Sequence, residues 1–444
     1  MDASITPQFG GLIWTLLAFV IALSVIVAIH EYGHYIVGRW CGIKADVFSI
    51  GFGPVVFKRT DKHGTQWQLA ALPLGGYVKF RGDGNAASVG DDGTVADMTP
   101  EEREATMTGA RLWKRSATVA AGPVFNFILS IAVFAGFLLI AGRTAETAVV
   151  GAVKPLPAQV QTLDEGDVIV GLNGTPLQTL VELRTLADQS PLAPTVTYQV
   201  ERDGQVVDVE AGQPLPARVD VVHPRSAAWD IGIRPDDLIV SIGDQPLWSF
   251  QHLQGIVSDS NGAPLDLQVW RNGELLDFTI VPRRMDLPTA DGGFETRWLL
   301  GINGGLFFDP VTDRAGVWES VTYGVEQTIF IVQSSLSALG HIITGQISTC
   351  NLSGPIGIAE VSGATASQGI DQFIWFIAVL STAVGLMNLF PIPILDGGHL
   401  VFHAYEAVAG RPPSDKAVRL LMGVGLAMMG TLMIFAVFND LFCP

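Results

Sequence analysis

Charge is scarce in this chain of 444 residues: Asp, Glu, Lys and Arg together make up 16% of it, and none of the four occurs between Ala3 and Ile29. Hydrophobic residues make up 48%, which excludes a disordered, highly solvated chain and points to a membrane protein. Basic residues are the scarcer sign, 26 Lys and Arg against 43 Asp and Glu for a net charge of −17, so a nucleic-acid partner is excluded. Cysteine is rarer still. Cys41, Cys350 and Cys443 are the only three, too few for a disulfide framework, and unpaired thiols are expected. The first apolar run has no basic segment before it and no small-residue cleavage site after it, so it reads as a retained span rather than a signal peptide.

What is present is a set of four uncharged apolar runs, 3–29, 116–142, 372–395 and 420–439, close to or above the roughly 20 residues with which a helix crosses a bilayer. Basic residues cluster in two places. Arg39, Lys44, Lys58, Arg59 and Lys62 follow the first run, with Arg111, Lys114 and Arg115 just before the second, while Arg411, Lys416 and Arg419 link the last two. The positive-inside tendency makes these loops cytoplasmic and leaves both termini and the 143–371 region outside. Segment 327–359 is also uncharged, but Gln, Ser, His and Asn recur in it and Ser353-Gly354-Pro355 breaks it, so it reads as a helix lying in the interface. With four crossings, the end of the third run arrives on the same side as the end of the first. A fifth crossing would part those ends by a bilayer thickness of about 30 Å.

The first run ends in Ile29-His30-Glu31-Tyr32-Gly33-His34. Ionisable groups on a spanning helix are costly without a function. Residues four apart share a helix face, so His30 and His34 can offer imidazole nitrogens to one Zn²⁺, with Glu31 beside them as a base for water. Catalytic zinc usually takes three protein ligands and keeps one position for water. Asp396 is the expected third ligand, with His399 as the alternative, because Pro391 and Pro393 break the third run and deliver Asp396 on irregular backbone.

Between the first two runs, Val47–Phe57 and Trp67–Arg81 read as strands joined around Asp61–Gly64, with an edge on which an extended substrate could add as a further strand. Residues 82–108 read as a mobile acidic linker. Beyond the second run a repeat of about 70 residues appears: Asp167–Leu177 aligns to Asp237–Leu247, and Arg202-Asp203-Gly204 to Arg271-Asn272-Gly273. Each copy reads as strands with a helix around 179–188 or 249–258 and a tight hairpin at Asp-Gly or Asn-Gly.

The combination of His30-Glu31-x-x-His34 with Asn388-x-x-Pro391-x-Pro393-x-Leu395-Asp396-Gly397 resembles the site-2 protease family of intramembrane zinc metalloproteases. Leu74–Phe80, Ala121-Gly122-Pro123 with Asn126, and Asn351–Ile356 are similar to the regulator-of-sigma-E protease branch, which carries tandem PDZ domains. The resemblance covers nearly the whole chain. It implies zinc ligands His30, His34 and Asp396, Glu31 as general base, and substrate contacts from Asn388 and from Gly75, Gly76, Tyr77 and Val78 on the strand beside the metal.

The expected fold is a multi-pass α-helical membrane protein of four transmembrane helices, with a membrane-associated cytoplasmic β-hairpin sheet and two periplasmic PDZ-like α+β domains. Its expected segments are a first helix within 1–38, a cytoplasmic loop 39–115, a second helix 116–142, PDZ-like domains 148–215 and 216–284, a periplasmic linker with an interfacial helix 285–371, and helices 372–398 and 418–440. Neither PDZ-like copy shows a Gly-hydrophobic-Gly-hydrophobic loop for capturing a carboxylate, so a steric filter is the expected role of the pair. By the resemblance, the protein sits in a bacterial inner membrane with its site near the cytoplasmic side. Its substrates are then single-span proteins, including an anti-sigma factor already cut once and signal-peptide remnants.

Two readings compete with a protease. A scaffold with structural zinc would fill the fourth metal position with a protein ligand and need no base. A zinc transporter would need ionisable groups along several spans, where only one cluster is visible.

Overall fold

The computed structural model describes residues 11–83, 98–157, 163–289 and 293–443. Contacts divide the chain into two units, Met1–Gly136 with Val317–Pro444, and Phe137–Gly316.

The first unit opens with α1, Leu12–Trp40, whose run of apolar side chains without formal charge gives a helix exposed along much of its length. Strands β1, Ala45–Thr60, and β2, Gln66–Phe80, follow, then the short α2, Pro100–Glu104, and α3, Leu112–Ala141. The unit resumes with α7, Val317–Ile343, α8, Pro355–Gln368, α9, Ile370–Asn388, α10, Asp396–Ala409, and α11, Asp415–Phe442. Among the described residues, four helices are long and apolar enough to cross a membrane: α1, α3, α9 and, from Lys416 onward, α11. Helix α7 is not among them, although its length of 27 residues would suffice.

Small residues let these helices approach closely, as expected where no water drives association. Ala18, Ala22 and Ile26 of α1 are buried in one cluster with Phe373 and Ile377 of α9. Hydroxyls tie α3 to α9: Ser130 Oγ donates to the Ala378 carbonyl at 2.8 Å and Ser381 Oγ to the Asn126 carbonyl at 2.9 Å.

Both hairpin strands bend. Phe48 therefore lies opposite Val78 on one side and Trp67 on the other, and Gly76–Phe80 is left as an edge. Tyr35, Phe48 and Trp67 pack together, which fixes the hairpin to the end of α1. Residues 98–108 depart from the linker expected over 82–108. Thr99 and Glu102 form a capping box that starts α2 behind Pro100, and Met107 is buried against the hairpin, whereas 84–97 lie outside the described residues.

Cys350 and Cys443 also depart from expectation, because they form a disulfide with Cα atoms 5.5 Å apart. Tertiary contacts bring them together. Asp440 accepts from the N–H groups of Gly354, Ile356 and Gly357 at the start of α8, and Asn439 Nδ2 donates to the Thr349 carbonyl, so the end of α11 is held on the segment carrying Cys350.

The second unit holds the repeat as two modules of one topology. In the first, β3, Arg143–Thr144, and β4, Val150–Val153, precede β5, Val168–Leu172, β6, Thr175–Pro176, α4, Leu180–Asp188, β7, Val196–Arg202, and β8, Gln205–Ala211. In the second, β9, Val219–Val222, and α5, Ala227–Asp230, precede β10, Leu238–Ile242, β11, Gln245–Pro246, α6, Phe250–Asp259, β12, Leu265–Arg271, and β13, Glu274–Ile280. The sheets run β6-β5-β7-β8 and β11-β10-β12-β13. The aligned Asp and Arg residues meet in both: Arg202 grips Asp167 at 2.6 and 2.7 Å, and Arg271 grips Asp237 at 2.5 and 2.6 Å. Asp237 is 1% exposed, so losing its arginine would leave a buried charge, at a cost of about 3–5 kcal/mol.

The described residues between 285 and 313, expected to be linker, are folded. Strands β14, Arg283–Pro288, and β15, Phe294–Leu299, pair as a hairpin, and the chain then runs back along both modules. Strand β16, Ile302–Gly304, pairs with β9, β17, Phe308–Pro310, with β4, and β18, Thr312–Asp313, with β3. Leu306, Phe307 and Phe308 thereby complete the core of the first module.

Candidate active site

Helix periodicity places His30, Glu31 and His34 together in the C-terminal half of α1, and the break after α9 brings Asp396 to them. Leu389–Leu395 form tight turns around the two prolines, with Ile392 N–H donating to the Phe390 carbonyl and Leu395 N–H to Ile392. Asp396 then opens α10. The turn is compact because Gly397 and Gly398 lie where any Cβ would stand 2.3 Å from the carbonyl oxygens of Leu389, Phe390 or Ile392.

The result is a triangle of ligand atoms. His30 Nε2 and His34 Nε2 are 3.2 Å apart, and they lie 3.2 and 3.4 Å from Asp396 Oδ2. Helices α1 and α3 meet with almost no clearance beside it: a Cβ on Gly33 would stand 2.5 Å from the Ala121 carbonyl oxygen, and one on Gly122 would stand 2.3 Å from His34 Nε2. His34 Nδ1 is 2.9 Å from the Thr118 carbonyl oxygen, which only an N–H can satisfy, so in the neutral ring the lone pair of His34 is on Nε2. His30 Nδ1 faces the side-chain amide of Asn126 at 3.3 Å.

His30, His34, Asp396 and Thr118 line a cleft of about 330 Å³ together with Glu31, Gly76, Tyr77, Val78, Asn388 and His399. Strand β2 passes Glu31 so closely that a Cβ on Gly76 would be 3.2 Å from Glu31 Cγ. Asn388 Nδ2 donates to the Val384 carbonyl of its own helix at 3.0 Å. Gly75 is not among the lining residues. It sits at the bend of β2 with φ +152° against the Phe52 ring. His399 lines the cleft but is not one of the three grouped ligands.

The family model for peptidase family M50 matches residues 18–432. The chain belongs to peptidase family M50. Over 99% of its length and 98% of the relative's, it is 36% identical to a provisionally named zinc metalloprotease of Agrobacterium fabrum. It is 32% identical to the regulator of sigma-E protease of Escherichia coli strain K12, covering 96% of this chain and 98% of that one, and 32% identical to that of Salmonella typhimurium strain LT2, covering 97% and 99%.

The triangle fits a zinc ion. Bonds of 2.0–2.1 Å to a tetrahedral centre set ligand atoms about 3.3 Å apart, which matches the three separations. Asp396 Oδ2 is buried and receives no hydrogen bond in the proper geometry, so it and the His34 lone pair converge on a point that calls for a cation. Among the described residues the group has three protein ligands, with no fourth.

Sequence reasoning missed Thr118, the packing role of Gly122 and the pairing of Asn126 with His30. A polar Asn and a Gly-Pro pair inside an otherwise apolar span were the available signals. It also missed a cleft of about 630 Å³ in the second module, between α6 and β15, because residues 298–303 that close it lie beyond the repeat.

Proposed function

We propose that this protein is an intramembrane zinc endopeptidase that hydrolyses peptide bonds in or near the transmembrane segments of single-span membrane proteins. Its membership of peptidase family M50 and its four apolar helices support a multi-pass inner-membrane protease. The observation that carries the reading is the convergence of His30, His34 and Asp396 in a cleft that also holds Glu31 and the edge of β2.

In this reading His30, His34 and Asp396 hold the zinc. The bound ion supplies Lewis-acid polarisation of the scissile carbonyl and a more acidic water. Glu31 takes the proton of the attacking water and returns it to the leaving amide nitrogen. A helical substrate hides its peptide bonds and must unwind. Gly76, Tyr77 and Val78 present an edge on which the unwound segment adds as a strand. Gly75 acts in this by allowing the bend, and Asn388 contacts the freed substrate backbone. Exposed Phe52, Val56 and Phe57 anchor the hairpin in the membrane surface on the cytoplasmic side.

The two modules resemble PDZ domains and stand outside the cytoplasmic membrane in this reading, where they hold back substrates with bulky outer portions. An anti-sigma factor already cut on the outer side, or a signal-peptide remnant, would pass. Mass-spectrometric mapping of the products from a purified single-span substrate tests the reading. Cuts in or beside the span are expected, and cuts confined to soluble regions would refute it.

A further inference from the structure

Asn126 is completely buried in α3. Its Nδ2 lies 3.3 Å from His30 Nδ1, while its Oδ1 is buried without a hydrogen-bond donor. Resting on the metal reading above, the constraint is simple. A histidine that binds metal through Nε2 carries its proton on Nδ1 and almost always donates it to an oxygen. His34 meets this rule through the Thr118 carbonyl, but for His30 the group placed to accept is the Asn126 amide.

We infer that Asn126 is a positioning residue for the metal centre: with zinc bound, its amide is turned so that Oδ1 accepts from His30 Nδ1–H. Rotation about the Cβ–Cγ bond exchanges the two amide atoms. It gives up only the Nδ2 contact with Nδ1, which a protonated Nδ1 forbids in any case, because Oδ1 has no donor to lose. The backbone holds the residue in place. The Asn126 carbonyl accepts from Ser130 of its own helix and Ser381 of α9, so the residue that orients His30 is tied to the helix that leads to Asp396.

The test compares the full-length wild-type protein with Asn126→Leu and Asn126→Asp in detergent, measuring zinc affinity by competition with a chromophoric chelator and ligand geometry by the absorption spectrum of the cobalt form. Asn126→Leu, which removes the acceptor, is expected to weaken zinc binding by roughly 10- to 100-fold. Asn126→Asp has the same shape and only acceptor oxygens, so it is expected to match or exceed wild-type affinity with a tetrahedral cobalt spectrum. Wild-type affinity in the Leu variant overturns the inference, as does an Asp variant as weak as Leu. If the Leu variant fails to fold, the Asp variant decides alone, since a donating amide could not be replaced by a carboxylate. Failure of the metal reading looks different: His34→Ala would then bind zinc as wild type does, or wild type would bind none, and the inference falls with it.

Discussion

Gly122 marks how little room the site leaves. An added methyl would stand 2.3 Å from His34 Nε2 and 2.8 Å from His30 Cε1, so Gly122→Ala must displace the two imidazoles. We expect cleavage to fall by roughly 100-fold, the scale of an ångström-sized misplacement at a reacting centre. The helix itself should not suffer, because Ala is the better helix former by about 1 kcal/mol. Gly136→Ala on the same helix meets nothing within 4 Å and should leave cleavage unchanged in the same assay. Asp61, at the hairpin turn, carries a pH prediction. Burial would raise its carboxyl, but Trp67 Nε1–H, the His63 and Thr65 N–H groups and the Tyr35 hydroxyl donate to it and hold it at about 2. A lowered carboxyl stabilises fully above its ordinary value of 3.8 and loses that contribution as pH falls through about 2. Hydrogen exchange at the His63 and Thr65 amides should therefore remain slow at pH 4, and Asp61→Asn should speed it at pH 7.

At the level of elements, what was legible follows from period and spacing. The His-Glu-x-x-His motif needs only a helix to place three groups together, and the paired prolines before Asp396 announce the break that delivers the fourth. The alignment of the repeat was legible, whereas the ion pair that its Asp and Arg form in both modules emerged only with the fold. Strands of two or three residues such as β16, β17 and β18 carry no period, so their return along the modules was invisible, and α2 was hidden because its capping box lay in an acidic stretch. The return has an energetic consequence. Phe307 is fully buried in the first module although it lies 96 residues after that module's last sheet strand, which ends at Ala211. Phe307→Ala should cost about 3–5 kcal/mol and raise hydrogen exchange in β5 and β7, while β10 and β12 of the second module stay protected.

For the whole molecule, the number of crossings decides whether the halves of the site can meet; among the described residues four helices are long and apolar enough to cross and α7 is not one of them, and the proposal takes these four as the crossings. The pairing of β3 with β18 brings the two ends of the second unit side by side. Excising 145–311 and joining Thr144 to Thr312 should therefore leave the first unit folded. The filter proposal predicts that this variant cuts substrates whose outer portions have not been trimmed, and unchanged refusal of them would rule it out. The central claim, that three side chains hold zinc and Glu31 moves the proton, is tested most directly by measuring zinc content and cleavage on one purified preparation of Glu31→Gln beside wild type. The account predicts one zinc per chain in both and cleavage only in wild type; a zinc-loaded Glu31→Gln that cleaves at the wild-type rate would contradict it.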